Sequence, residues 1–165
     1  MNEFPQLQAI QQLGRTYRAL MSAFESNTGH SMPRWRILLT LHKVGEISQK
    51  QLARDLPMDP AALTRQIKAI EHQGWVERHS DINDNRLTNV ALTEAGRKVV
   101  DATLPRRTAF IEKAFGDLSH EQIRALGVLL QTLEQGLRQD GIESSAGPAG
   151  LGDGMGEPPA APPTP

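Results

Sequence analysis

The clearest helix start and stop signals in the chain fall in residues 47–96, which read ISQKQLARDLPMDPAALTRQIKAIEHQGWVERHSDINDNRLTNVALTEAG. Ser48, with Gln51 three residues later, has the spacing of a capping box, in which each side chain bonds the backbone N–H of the other residue. This spacing predicts a short helix over residues 49–56, and Pro57 ends it because proline disfavours a helical residue before it. Leu52, Ala53 and Leu56 form its predicted inner face.

A second helix in this run has two distinct faces. Asp59 followed by Pro60 supplies an N-cap and a proline at the first helical position, so the helix is predicted to begin at Pro60 and to run to about residue 73. At 100° per residue its apolar side chains share one side, and they are Leu63, Ile67 and Ile70. The other side carries Ala61, Arg65, Lys68 and His72, with Thr64 beside them. One face is therefore predicted to be buried and the other to be basic.

The residues after Gly74 predict a β-hairpin. Residues 75–78 favour a strand, residues 81–86 a polar turn, and residues 87–92 a return strand in which apolar and polar residues alternate. A short helix, a three-residue turn, a basic-faced helix and a hairpin, in this order, make a winged helix-turn-helix. Because the DNA major groove admits one helix presented by a second helix packed across it, the arrangement predicts DNA binding.

Predicted DNA contacts come from both helices and from the wing, which comprises the hairpin and its turn. The helix residues are Ser48, Gln49, Ala61, Ala62, Thr64, Arg65 and Lys68. Small side chains at 61 and 62 permit close approach, and Arg65 can bond a guanine edge through two N–H groups. In the wing, Arg86 is expected in the minor groove, where a narrow, negative cleft favours guanidinium, and Asp84 is expected to hold it by a carboxylate pair.

Amphipathic helices are predicted on both sides of the winged region. Apolar residues at three- and four-residue steps predict a first helix over residues 4–26, and Ser31 is expected to cap a second that stops at Gly45. After the hairpin, Thr93 caps a helix over residues 94–114 that is interrupted or kinked near Pro105. The last helix opens on a capping box at Ser119 and carries a continuous apolar stripe, as does the first helix. Both stripes require a partner surface.

Composition bounds the remaining possibilities. The 165 residues include 18 Lys and Arg against 19 Asp and Glu, and no cysteine, which removes thiolate metal sites and thiol redox sensing and fits a cytoplasmic protein. Residues 141–165 hold six Gly and six Pro, three acids and no Lys or Arg, so they are predicted to form a disordered tail. Without the three acids of this tail, residues 1–140 carry 18 basic against 16 acidic groups. No apolar run approaches the roughly 20 residues of a membrane span, so no membrane partner is expected.

Metal and enzyme sites are not supported by the pattern of residues. No two of the five histidines have the i, i+4 spacing of a helical ligand pair. The sequence also lacks a glycine-rich phosphate loop and a nucleophile elbow, so no catalytic residue or cofactor is predicted. A winged-helix protein-interaction module without sequence-specific DNA binding remains the alternative to a DNA-binding regulator.

The run over residues 47–96 resembles the core of the MarR family of bacterial transcriptional regulators. The matching positions are Leu52, Ala53, Leu63, Thr64, Arg65, Glu71, Gly74 to Val76, Arg78, Asp84, Arg86, Leu92, Thr93 and Gly96. Asn85 departs from the pattern, since many members carry an arginine there. The resemblance implies a homodimer with interlocked first and last helices, a pseudo-palindromic operator, and repression relieved by a small ligand that is often an aromatic carboxylate.

The expected ligand contacts lie near the junction of the first two helices. An anionic aromatic molecule needs a cation and a flat apolar wall, and Arg15, His30 and Trp35 have suitable chemistry. The predicted fold is thus mainly α-helical with a small β-hairpin wing. It divides into an N-terminal dimerisation helix (1–30), a winged helix-turn-helix DNA-binding domain (31–92), C-terminal dimerisation helices (93–140) and the Gly/Pro-rich tail (141–165).

Overall fold

A computed structural model of the chain describes residues 4–145, with side chains up to residue 138. Six helices and three strands follow one another in these residues. They are α1 (Pro5–Thr28), α2 (Met32–Val44), β1 (Ile47–Ser48), α3 (Gln49–Asp55), α4 (Pro60–His72), β2 (Val76–Ser80), β3 (Thr88–Leu92), α5 (Glu94–Phe115) and α6 (His120–Ser145). Elements up to Gly116 form one compact unit, and α6 belongs to a second. The predicted fold class, mainly helical with a small hairpin, is confirmed.

Side-chain caps fix three of the predicted helix starts. Ser48 Oγ accepts the Gln51 N–H at 3.1 Å, Asp59 Oδ2 accepts the Ala62 N–H at 3.0 Å, and Thr93 Oγ1 accepts the Gly96 N–H at 3.0 Å. Ser31 is the N-cap residue of α2, as predicted, but its side chain accepts no capping hydrogen bond. Pro33 is the second residue of α2 and has no N–H, which removes one of the two donors that an N-cap oxygen normally uses.

The sheet has three antiparallel strands in the order β1-β3-β2. β2 pairs with β3 from Val76 opposite Leu92 to Ser80 opposite Thr88, which confirms the hairpin. β1 adds only two residues, Ile47 opposite Val90 and Ser48 opposite Asn89. Two residues are too short for an alternation to show, so this strand could not be predicted from the sequence.

The core of the first unit lies where the helices cover the sheet. Leu63, Ile67 and Ile70 of α4 are fully buried, as the predicted inner face requires. They belong to one apolar cluster with Leu52 of α3 and Val90 of β3. Since α4 buries one side in this cluster, its opposite side is fixed toward solvent.

α5 runs through Pro105 as one helix, so of the predicted interruption or kink the interruption is wrong. Proline removes one backbone hydrogen bond. The residues buried on the two sides of Pro105 are Val100, Thr103 and Phe110. Their packing against the core holds the helix together across the missing hydrogen bond.

α6 is a separate long helix with a reciprocal capping box. The Ser119 N–H donates to Gln122 Oε1 at 2.8 Å and the Gln122 N–H donates to Ser119 Oγ at 3.2 Å, as predicted. The helix continues to Ser145, so residues 141–145 are helical where the sequence predicts the start of a disordered tail. The rest of that predicted tail lies outside the described residues. Across the described residues, helices that are both long and apolar enough to cross a membrane are absent.

Candidate nucleic-acid interface

α3 and α4 are joined by a hydrogen bond between two of the predicted DNA contacts. Gln49 Nε2 donates to Thr64 Oγ1 at 2.9 Å, and Thr64 Oγ1 donates to the Pro60 carbonyl at 3.0 Å. The Thr64 hydroxyl proton is therefore already used within the protein. Both side chains are half-buried, so they set the position of α3 against α4 as well as lying near the predicted DNA face.

The solvent side of α4 carries the predicted basic face. Ala61, Arg65 and Lys68 are exposed and Ala62 is half-buried. Neither Arg65 nor Lys68 pairs with an acidic side chain of the described part of the chain. Arg65 therefore breaks no ion pair with a described residue when its guanidinium binds a base edge or a phosphate.

The turn of the wing is held by one aspartate that the sequence pattern did not mark as a contact. Asp81 Oδ1 accepts the N–H groups of Asn83 and Asp84 at 2.9 and 3.0 Å, and its Oδ2 accepts Asn89 Nδ2 at 2.9 Å. The bonds from the Asn83 N–H, from Asn89 and from the Asp84 N–H lower the pKa of the Asp81 carboxyl. The Asp81 N–H also donates to the Leu87 carbonyl at 3.0 Å, which closes the loop.

Asp84 holds Arg86 by its backbone and not by its side chain. Asp84 Oδ1 accepts the Arg86 N–H at 3.0 Å, and the two side chains form no ion pair. The expected carboxylate pair is therefore wrong, because the carboxylate is already used to shape the turn. This leaves the Arg86 guanidinium exposed and available to a partner outside the chain.

The wing and the helix pair face a common cleft of about 400 Å³. It is lined by Gln49, Lys50, Ala53, Pro60, Leu63, Thr64, Arg86, Leu87 and Thr88. Arg86 is thus on the same side of the molecule as the start of α4. Lys50, an exposed cation one residue after Gln49, also lines the cleft, although it was not among the predicted contacts.

Two acidic side chains, Glu71 of α4 and Glu46 before β1, fix the wing to the neighbouring elements. Arg78 on β2 donates to Glu71 Oε2 on α4, from Nε at 3.0 Å and from Nη2 at 2.6 Å. The hydrogen bond from Arg78 lowers the pKa of Glu71 and raises that of Arg78. Glu46 Oε1, before β1, contacts His79 Nε2 at 3.0 Å and accepts Asn89 Nδ2 at 2.9 Å.

The three predicted ligand residues are not brought together. Arg15 is exposed on α1, where its guanidinium bonds Gln12 Oε1, whereas His30 and Trp35 are buried. Of these three residues, Trp35 alone lines a cavity of about 350 Å³ between α1, α2 and α5. The cavity residues are Leu20, Phe24, Met32, Trp35, Arg36, Leu39, Arg107, Phe110, Ile111 and Phe115. Its two cations, Arg36 and Arg107, were not among the predicted contacts.

Several buried polar atoms that lack a hydrogen-bond partner in the described part of the chain belong to residues near the start of α2 in the sequence. They include His30 Nδ1, Arg34 Nε and Trp35 Nε1. Burial, and then the charges of Arg34 and Arg106, lower the pKa of His30, which favours the neutral ring. The ring stands edge-on to Trp75 with centroids 5.4 Å apart. Arg34 Nε and Trp35 Nε1 are donors, and a buried donor without a partner is costly.

Fold and site together define a winged helix-turn-helix DNA-binding protein. The MarR family profile matches residues 30–88. The chain is 33% identical over 117 residues to YdgJ, an uncharacterized HTH-type transcriptional regulator of Bacillus subtilis, and the match covers 71% of each chain. The chain therefore belongs to the MarR family of transcriptional regulators, and it is a regulator rather than an enzyme.

Solved structures agree with this assignment. A probable transcriptional regulator from Pseudomonas aeruginosa matches with a TM-score of 0.71 at 27% identity, over 78% of this chain and 97% of that one. Two more distant matches support the fold. Mutant MarR C80S from E. coli complexed with operator DNA matches with a TM-score of 0.71 at 20% identity, over 81% of this chain and 99% of that one. Bordetella bronchiseptica BpsR, whose DNA binding is regulated by 6-hydroxynicotinic acid, matches with a TM-score of 0.68 at 22% identity, over 77% of this chain and 98% of that one.

Proposed function

We propose that this protein is a repressor that binds a pseudo-palindromic operator as a homodimer and leaves it when a small aromatic carboxylate binds. The DNA-binding part rests on three cations that form no ion pair with an acid of the described residues. Arg65 and Lys68 lie on α4, and Arg86 lies on the wing beside the same cleft. The E. coli MarR structure in complex with operator DNA supports this use of the fold.

In this proposal α4 enters the major groove and the wing enters the adjacent minor groove. The small side chains of Ala61 and Ala62 let the start of α4 approach the bases closely, and Arg65 bonds a guanine edge. Lys68, Ser48 and Gln49 contact the DNA near α4, and Arg86 lies in the minor groove. Asp84 contributes by shaping the turn that carries Arg86.

The homodimer is supported by apolar side chains left exposed on α1 and α6. On α1 they are Leu7, Ile10, Leu13 and Tyr17, and along one face of α6 they are Leu126, Leu129, Leu130, Leu133 and Leu137. A monomer rarely leaves contiguous apolar faces of this length in water. Two-fold symmetry would present two α4 helices to half-sites about one DNA turn, roughly 34 Å, apart.

The cavity between α1, α2 and α5 is proposed as the effector site. Its volume of about 350 Å³ suits a small molecule, its walls carry the aromatic side chains of Phe24, Trp35 and Phe110, and Arg36 and Arg107 can pair with a carboxylate. These two arginines take the place of Arg15 in the predicted set. The aromatic acid that regulates BpsR has the same chemistry. Ligand binding would favour a dimer whose α4 helices no longer match successive grooves.

A mobility-shift titration with the intergenic duplex beside the gene tests DNA binding. Specific binding should weaken with salt by about 0.9 log unit per log unit of salt for each phosphate contact. Arg65→Ala should relax base preference at one position in each half-site, whereas Glu94→Ala, an exposed acid at the start of α5, should bind like the unaltered protein. Absence of any shift at low salt would overturn the proposal in favour of a protein-interaction module.

A further inference from the structure

Ile82 is the most exposed large apolar side chain among the described residues. It is 95% exposed, whereas Val44, at the end of α2, is 57% exposed. It lies in the turn between β2 and β3, the part of the wing farthest along the hairpin from the core. Nothing within the described part of the chain covers it, so a contact that buries it must come from outside.

The exposure of Ile82 is imposed by hydrogen bonds on each side of it. Asp81 accepts the N–H groups of Asn83 and Asp84, so the backbone that carries Ile82 is bent around the Asp81 carboxylate. Asn89 of β3 donates to the same carboxylate at 2.9 Å. This network fixes the turn before any partner binds. Binding through Ile82 therefore does not have to include the entropic cost of ordering the loop.

Ile82 shares the tip of the wing with Arg86. The Asp81 N–H bonds the Leu87 carbonyl at 3.0 Å, which closes the loop and leaves residues 82–86 as its tip. Ile82 and Arg86 are the two ends of this tip. Since the closed loop holds both residues in one turn, a surface that receives the tip of the wing comes close to Ile82 and to Arg86.

We propose that Ile82 is a minor-groove contact residue that packs against deoxyribose and base edges beside Arg86. This inference rests on the proposed DNA binding. Minor-groove proteins combine cations with apolar side chains, isoleucine included, that press against or between base steps. Isoleucine has no hydrogen-bonding group, so it senses the width and the deformability of the groove, and the sites it favours carry a flexible pyrimidine-purine step under the wing.

The test compares four variants on one duplex, selected by the unaltered protein from a random-sequence library. Ile82→Ala should weaken binding about tenfold, since it removes apolar surface that becomes buried on the DNA. Its salt slope should stay unchanged, because no ion is released through an apolar contact. Arg86→Ala should instead lower the slope by about 0.9. Ile82→Leu should keep most of the affinity, and Val44→Ala is the matched control for loss of an exposed aliphatic side chain.

The outcomes separate this inference from the proposed function. Weaker binding by Ile82→Ala at an unchanged slope, with Val44→Ala unaffected, supports the minor-groove contact. If Ile82→Ala binds as tightly as the unaltered protein while Arg86→Ala is weakened, DNA binding stands and the role of Ile82 is refuted, which leaves the tip to a protein partner. If the unaltered protein selects no duplex, the proposed function itself fails. Because Ile82 packs on nothing in the described part of the chain, thermal unfolding of Ile82→Ala should match that of the unaltered protein.

Discussion

At the scale of single residues, the arginines of the winged region are of two kinds, those that pair with an acidic side chain of the protein and those that do not. Arg78 donates two hydrogen bonds to Glu71 and joins β2 to α4, whereas Arg65 and Arg86 pair with no described acid. Helical periodicity places Arg65 on the outer face, and this was predictable. The partner of Arg78 was not, because Glu71 is on another element and only the fold brings the two side chains together.

The pairing of Glu71 with Arg78 should make stability depend on pH. The pKa of Glu71 is lowered in the folded protein, so the pair stabilises the fold above the ordinary carboxyl pKa and this contribution is lost as pH falls through the folded pKa. Glu71→Gln should therefore unfold at a lower temperature at pH 7, and the difference should begin to shrink as pH falls below the ordinary carboxyl pKa of about 4.3. Thermal unfolding of both proteins between pH 7 and pH 3 measures it.

Glu94→Gln is the matched control for the Glu71 prediction. The Glu94 side chain is 72% exposed and forms only surface pairs with Arg97 and Lys98, so its replacement should change the unfolding temperature little at any pH. A Glu71→Gln deficit that stays constant from pH 7 to pH 3 would mean that the carboxylate charge is not what stabilises the contact.

At the scale of elements, local signals predicted where helices begin but not how elements are joined. The caps at Ser48, Asp59 and Thr93 act within three residues, and the sequence predicts them correctly. The bond from Asn89 to Glu46 spans 43 residues, and β1 forms only by pairing with β3, so both depend on the folded chain. The predicted carboxylate pair between Asp84 and Arg86 is wrong because an aspartate in a turn can bond either a side chain or the backbone.

The docking of α5 against the start of β2 leaves no room for a side chain at Gly96. A Cβ at this position would overlap the carbonyl oxygen of Trp75, which is backbone and cannot move aside. The Thr93 hydroxyl also donates to the Gly74 carbonyl at 2.6 Å, so the junction is held on both sides. Gly96→Ala should therefore lower the free energy of unfolding by about 3 kcal/mol.

Chemical denaturation of the Gly96→Ala variant checks this expectation. Gly127→Ala on α6 is the control, because a Cβ there would meet no other heavy atom within 4 Å, and at 100° per residue the position lies beside the apolar stripe and not on it. That change should be neutral or slightly stabilising, as alanine favours a helix more than glycine does. A Gly96→Ala protein as stable as the unaltered one would show that α5 can shift away from Trp75 without cost.

At the scale of the whole molecule, net charge is a poor guide to the proposed partner. The chain carries a net charge of −1, and the excess of bases over acids in residues 1–140 is only two. Affinity for DNA must therefore come from where the unpaired cations lie and from their duplication in a dimer. A single copy would present one α4 and one wing, which is half of a palindromic site.

Disruption of the α6 apolar stripe should convert the protein to a monomer without unfolding its winged unit. Leu130 and Leu133 lie on one face of α6, are 42% and 44% exposed, and belong to a separate compact unit from the winged helix-turn-helix. Replacing both by aspartate places two charges in the proposed interface, where they have no counterion. Light scattering should then report one chain instead of two, with near-unchanged helical circular dichroism.

Affinity distinguishes a dimer used for DNA binding from one that is incidental. The double variant should bind a duplex with one half-site about as well as the unaltered protein does, and should lose the added affinity for two half-sites, because the second contact is no longer intramolecular. Gln135→Asp is the matched control, since at 100° per residue Gln135 lies on the opposite face of α6 and its charge stays in water. A double variant that remains dimeric would place the interface elsewhere. One that becomes monomeric yet binds two half-sites undiminished would refute operator recognition by a dimer.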